Sequence, residues 1–164
     1  MASQSKRKEL LATGITHIVN CTDTFECKYP EDFSYLHLKL LDQNNQLLLP
    51  VLDAAVEFIA EAHAAGGTVL VHCASGHSRS GSVALAYIMW ARGCTYEDAL
   101  ASVRQGRPVV QPIPSFAEQL RIFAALGCVW GPHGVARLST EQRSTVAALT
   151  IAAPVAERTG YVWP

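Results

Sequence analysis

At 164 residues, 49% of them hydrophobic, the chain has the size of one domain with enough apolar surface for a real core. A formal net charge of -1 gives no general attraction to nucleic acid or membrane, so any anion recognition must be local. No run approaches the roughly 18 consecutive apolar residues of a membrane span.

The opening MASQSKRKEL lacks the apolar centre of a secretion signal, and Met-Ala in place of Met-Gly predicts no myristoyl group. ITHIVN (Ile15–Asn20) is a short β-rich run that ends in the polar CTD. FSYLHLKL (33–40) alternates with period two and predicts a second strand running into LDQNNQ. Pro50 near its start and Gly66-Gly67 at its end bracket a helix, with Leu52, Val56, Ile59, Ala60 and His63 on one face. TVLVH (Thr68–His72) is a near-continuous apolar run of the kind a buried central strand shows.

Three further helices are expected. The first, about 78–91, is apolar nearly all round and should be deeply buried, with Gly93 as its stop. Thr95-x-x-Asp98 predicts a capping box for YEDALASVRQ, and Ser115-x-x-Glu118 predicts another for FAEQLRIFAAL. From Gly127 the sequence is broken by glycine and proline. We expect 127–164 to be a peripheral or partly disordered tail without a catalytic role, with Ser139-x-x-Gln142 capping a short helix before Pro154. YVWP at the end is no prenylation box.

Strand and helix alternate, which predicts an α/β domain over 1–126 with a central, mostly parallel sheet flanked by helices. In such a sheet ligands bind outside the carboxyl ends of the strands. The loops CTD, LDQNNQ and CASGHSRSG all leave those ends. The five cysteines, at 21, 27, 73, 94 and 128, are odd in number and show no Cys-x-x-Cys spacing. They predict neither a disulfide framework nor a zinc site, and they favour a reducing compartment.

The loop CASGHSR carries the chemistry. Ala74, Ser75, Gly76, His77 and Ser78 are mostly small, so successive backbone N–H groups can curl inward as an anion nest. The helix beginning beside Ser78 adds the positive end of its dipole. Arg79 can close the ring with two parallel hydrogen bonds to phosphate oxygens. The same field favours the thiolate of Cys73, a nucleophile that then needs no dedicated base. The plain alternative is a core cysteine beside a solvated arginine. It does not account for His72, Cys73, Gly76, Arg79, Ser80 and Gly81 at these spacings between a strand and a helix.

At these residues the chain resembles the protein tyrosine phosphatase superfamily, most closely the small dual-specificity phosphatases. They carry His-Cys-x-x-Gly-x-x-Arg-Ser/Thr in a strand-loop-helix. The likeness runs from about Leu10 to Leu126 and includes GITHIVN, the LDQNN loop, AYIM, and VRQGRP with P..SF..QL after it. The resemblance implies a cysteine-dependent phosphatase of phosphotyrosine and phosphoserine/phosphothreonine in proteins. It implies a phosphocysteine on Cys73, phosphoryl binding by Arg79 and residues 74–78, and Asp42 as general acid and then base. Ser80 would hydrogen-bond the departing thiolate, and His72 would orient the loop and tune Cys73.

We also expect no cofactor and no metal, a monomer acting on phosphorylated proteins, and a cytoplasmic location with the nucleus as the alternative. Without the resemblance, Asp42 reads as a turn residue, with Asp23 and Asp32 as competing carboxylates and Asp53 as a solvated helix position. His77 reads as a solvent-facing rim residue, and His37 and His63 as packed or surface histidines. Arg104 reads as a solvated helix edge, and Arg107 as either that or a second anion site.

Relatives usually begin with an extra strand and often carry Asn where this chain has Ile113, which removes a side-chain hydrogen bond near the loop. The alternatives are a phosphatase of a phosphoinositide, phosphoglucan or RNA 5′-phosphate, an arsenate-reductase-like redox enzyme, and an inactive phosphate-binding module. The redox reading needs Cys21, Cys27, Cys94 or Cys128 to approach Cys73.

Overall fold

The structure is a computed structural model that describes residues 2–129. Its elements are α1 (Ala2–Ala12), β1 (Ile15–Asn20), β2 (Ser34–His37), α2 (Leu49–Ala64), β3 (Thr68–His72), α3 (Arg79–Arg92), α4 (Tyr96–Gly106) and α5 (Pro114–Ala125). The expected helix capped by Ser139 and Gln142 lies outside the described residues.

The three strands form a parallel sheet in the order β2-β1-β3. Val19 is paired with Leu36 on one side and Val71 on the other. A parallel arrangement brings all three carboxyl ends to one edge, so the loops after β1, β2 and β3 converge there as the sequence predicts.

Local chemistry explains the helices. Leu49, Leu52, Ala55, Val56, Ile59 and Ala62 form the buried stripe of α2, and Pro50 sits in its first turn. Gly93 takes the left-handed conformation (φ +60°) that ends α3. Thr95 caps α4, its hydroxyl accepting the Asp98 N–H at 3.2 Å and donating to the Asp98 carboxylate at 2.7 Å. These helices close one continuous core in which Val19 and Cys21 meet Leu52, Leu85, Met89, Phe116, Leu120 and Phe123.

Several expectations need correction. The first residues, where the sequence pattern predicts no element, form α1. Arg7 ties that helix to Asp32 by hydrogen bonds of 2.5 and 2.6 Å. β2 stops at His37 because the chain leaves the ladder there, with Leu40 N–H turning back to the Leu38 carbonyl. On α2, Ala62 rather than His63 completes the buried stripe, and His63 is exposed against the Tyr87 hydroxyl at 2.8 Å. α3 is buried over its first half, but Trp90 near its end is 44% exposed.

Two further corrections concern packing partners. β3 is not central: it pairs only with β1 among the described residues, and its apolar side chains are half-buried. α5 begins at Pro114 with Ile113 as its N-cap, so Ser115 is not the cap. Ser115 lies inside the first turn, where its hydroxyl donates to the Asn44 carbonyl at 2.8 Å.

Candidate active site

β3 delivers Cys73 to the carboxyl edge of the sheet, where the chain bends into α3. Cys73 is buried at 8% exposure. Its Sγ accepts the Gly76 N–H at 3.2 Å and lies 3.2 Å from Ser80 Oγ. Gly76 holds φ +70°, which an L side chain rarely adopts and which lets its N–H fold back toward the sulfur. Burial pushes the Cys73 thiol up. The Ser80 hydroxyl and the N–H groups of Ser80, Gly76 and Ser75 outweigh that effect and hold it below the ordinary thiol value.

Arg79 is buried at 9% exposure and its guanidinium bridges two loops. Nη1 donates to the Leu40 carbonyl at 3.2 Å and lies 3.9 Å from Asp23 Oδ1. Nε lies 4.0 Å from Asp42 Oδ2, and is buried without a hydrogen-bond partner. A buried guanidinium nitrogen with no acceptor is costly unless a ligand supplies one, so this edge is set up for an anion.

The structure therefore gathers Cys73, Arg79, Ser80, Asp42 and the loop 74–78 around one position. His72 stands just behind it. Burial holds its imidazole below the ordinary value, while a hydrogen bond to the Cys73 backbone acts the other way. The loop residues divide by role. Ala74, Ser75 and His77 are exposed at the rim. The Ser78 side chain is turned inward, its hydroxyl accepting the Ile113 N–H at 3.2 Å. A link between the last loop and the active-site loop therefore persists at Ile113, made by backbone in place of a side chain. Val110 packs so close to α3 that a Cβ on Gly81 would lie 2.9 Å from its Cγ1.

Of the competing carboxylates, Asp32 is engaged by Arg7, whereas Asp23 stands beside Arg79. Arg104 is not simply solvated: its Nε donates to the Val110 carbonyl at 2.8 Å. Arg107 Nε donates to the Gly76 carbonyl at 3.2 Å and so lies over the loop itself.

Sequence reasoning missed the support beneath Asp42. Gln119 Nε2 donates to the Gln46 carbonyl at 3.0 Å, and Gln46 Oε1 accepts the Leu41 N–H at 2.8 Å. Both glutamines are buried. The available signal was a glutamine within the apolar face formed by Phe116, Leu120 and Phe123.

The family model for the dual specificity phosphatase catalytic domain matches residues 1–125. The chain belongs to this family. It is 40% identical over 119 residues to the human protein phosphatase Slingshot homolog 3, covering 73% of this chain but 18% of that one. It is 36% identical over 121 residues to dual specificity protein phosphatase 1 of Arabidopsis thaliana, covering 74% of this chain and 61% of that one.

Among solved structures, the human tyrosine phosphatase-like serine/threonine/tyrosine-interacting protein superposes with a TM-score of 0.71. It shares 32% identity over 76% of this chain and 86% of its own. The chain thus spans less than two thirds of either curated relative. Within the dual specificity phosphatase fold, its parallel sheet, loop and flanking helices are the parts that position Cys73 and Arg79.

Proposed function

We propose that the protein is a cysteine-dependent phosphatase acting on phosphotyrosine and phosphoserine/phosphothreonine in proteins. One observation carries this reading: a hydrogen-bonded Cys73 sulfur shares its loop with a buried Arg79 whose Nε has no hydrogen-bond partner and lies 4.0 Å from Asp42.

In this reading the phosphate dianion enters the nest of N–H groups from 74–79 and is gripped by Arg79. The Cys73 thiolate attacks phosphorus in line with the leaving oxygen. The P–O bond breaks, and Asp42 in its acid form gives its proton to the departing oxygen. Asp42, now a carboxylate, takes a proton from water as that water attacks the phosphocysteine. The P–S bond breaks, phosphate leaves, and Ser80 donates to the returning thiolate.

The competing readings have less support. The loop ASGHS has no lysine with which to grip an inositol phosphate. Of the four candidate resolving cysteines for a redox relay, Cys21 is the one that interacts with Cys73, and burial pushes its thiol far above its ordinary value. An inactive binding module has no use for a sulfur held below the ordinary thiol range. We further propose a monomer acting on phosphorylated proteins in the cytoplasm, with the nucleus as the alternative location. The net charge of -1 supports no general attraction to nucleic acid or membrane.

The experiment is hydrolysis of p-nitrophenyl phosphate in EDTA, followed by phosphopeptides set beside phosphoinositides. Activity retained in Cys73→Ser would overturn the covalent mechanism. Turnover of phosphoinositides without phosphopeptides would overturn the substrate class.

A further inference from the structure

Two carboxylates flank Arg79 at almost the same distance, and the guanidinium end that each one meets distinguishes them. Asp42 lies 4.0 Å from Nε, which is buried and has no hydrogen-bond partner. Asp23 lies at the Nη1 end, which is already committed to the Leu40 carbonyl at 3.2 Å. A guanidinium grips a phosphate along one edge with two parallel hydrogen bonds, so fixing the opposite end decides where that edge points.

The loop that presents Asp23 is itself rigidly built. Asn20 and Thr22 are fully buried. Asn20 Oδ1 accepts from the Thr22 N–H at 3.1 Å and from its hydroxyl at 2.8 Å, and Asn20 Nδ2 donates to the Phe25 carbonyl at 2.6 Å. Thr22 Oγ1 in turn accepts the Phe25 N–H at 3.1 Å. The Asp23 carboxylate, between these anchors, is 36% exposed and contributes little to the core. A buried polar network that ends in an exposed carboxylate beside a buried arginine has positioning as its natural use.

We propose that Asp23 is a positioning residue for phosphoryl binding. With the Leu40 carbonyl it holds the Nη1 end of Arg79, so that the Nε edge faces the anion before substrate arrives. This rests on the reading of the loop as a phosphoryl site. Asp23 acts through Arg79 and exchanges no proton with substrate, whereas Asp42 serves the leaving group.

The test compares wild type, Asp23→Asn and Asp23→Glu in tungstate binding and in steady-state hydrolysis of an aryl and an alkyl phosphate. Asp23→Asn should weaken tungstate and lower kcat/KM by about tenfold, chiefly through KM and equally for both esters. Asp23→Glu should recover part of the loss, and thermal midpoints should stay together. In an Arg79→Lys background, Asp23→Asn should add no further loss of tungstate affinity.

Tighter tungstate binding with undiminished turnover would overturn the proposal, because Asp23 would then only repel the anion. A loss that grows with leaving-group basicity would also overturn it, by making Asp23 the acid. Wild-type protein that neither binds tungstate nor hydrolyses either ester would instead defeat the phosphoryl-site reading.

Discussion

The side-chain carbonyl of Gln119 accepts the Leu48 N–H at 2.7 Å and joins two positions 71 residues apart. It also takes the Leu49 N–H at 3.3 Å, so a residue of α5 satisfies amides at the start of α2. Through Gln46 the same side chain reaches the Leu41 N–H, next to Asp42. Gln119→Leu keeps the bulk but leaves these buried groups unsatisfied, at about 2–4 kcal/mol. We expect a lower midpoint in urea, with activity at permissive temperature reduced more for alkyl than for aryl phosphates. A variant that loses stability alone would mean that the network does not position Asp42.

Asp42→Asn removes the proton for the leaving oxygen without changing the size of the side chain. General acid catalysis contributes about 10²–10⁴-fold, and a nitrophenolate needs little of it. The variant should therefore lose far more kcat on an alkyl phosphate than on p-nitrophenyl phosphate. Matching losses on the two esters would remove Asp42 from the acid role.

Ser80→Ala takes away the side-chain hydrogen bond that counters burial at the Cys73 sulfur. The Cys73 pKa should rise toward that of an ordinary thiol. Because attack requires the thiolate, the acidic limb of the kcat/KM profile should move to higher pH. Iodoacetamide inactivation measured against pH reads the same group without turnover. An unmoved limb in both assays would show that Ser80 does not set this ionisation.

His72 links pH to stability. Burial lowers its folded pKa, and the charges of His37 and Lys6 add to that effect. The unfolded chain thus takes up the proton first as pH falls. The contribution is fully present above the unfolded value of about 6.5 and is lost as pH falls toward the lower folded value. The urea midpoint should drop between pH 7.5 and 5.5, and His72→Asn should flatten that dependence. Parallel curves for the two proteins would assign the acid sensitivity to other groups.

Much of the architecture was legible in the sequence because local chemistry specifies it. The β-branched runs at 15–20 and 68–72, Gly93 as a helix stop and Thr95 as a cap act through neighbours within a few residues. The nest of residues around Cys73 and Arg79 was legible for the same reason, since its geometry lies within one bend.

What only the tertiary structure decided depends on elements distant in sequence. TVLVH reads as a central strand because apolar residues on both sides report that its two faces are covered. Hydropathy carries no information about the hydrogen-bonding direction, along which β3 has β1 alone as partner among the described residues. In the same way, an aspartate's type does not say which end of an arginine it will meet. The resemblance singles out Asp42 and leaves Asp23 as a competing carboxylate, and only folding sets Asp23 against Nη1 and Asp42 against Nε of the same arginine.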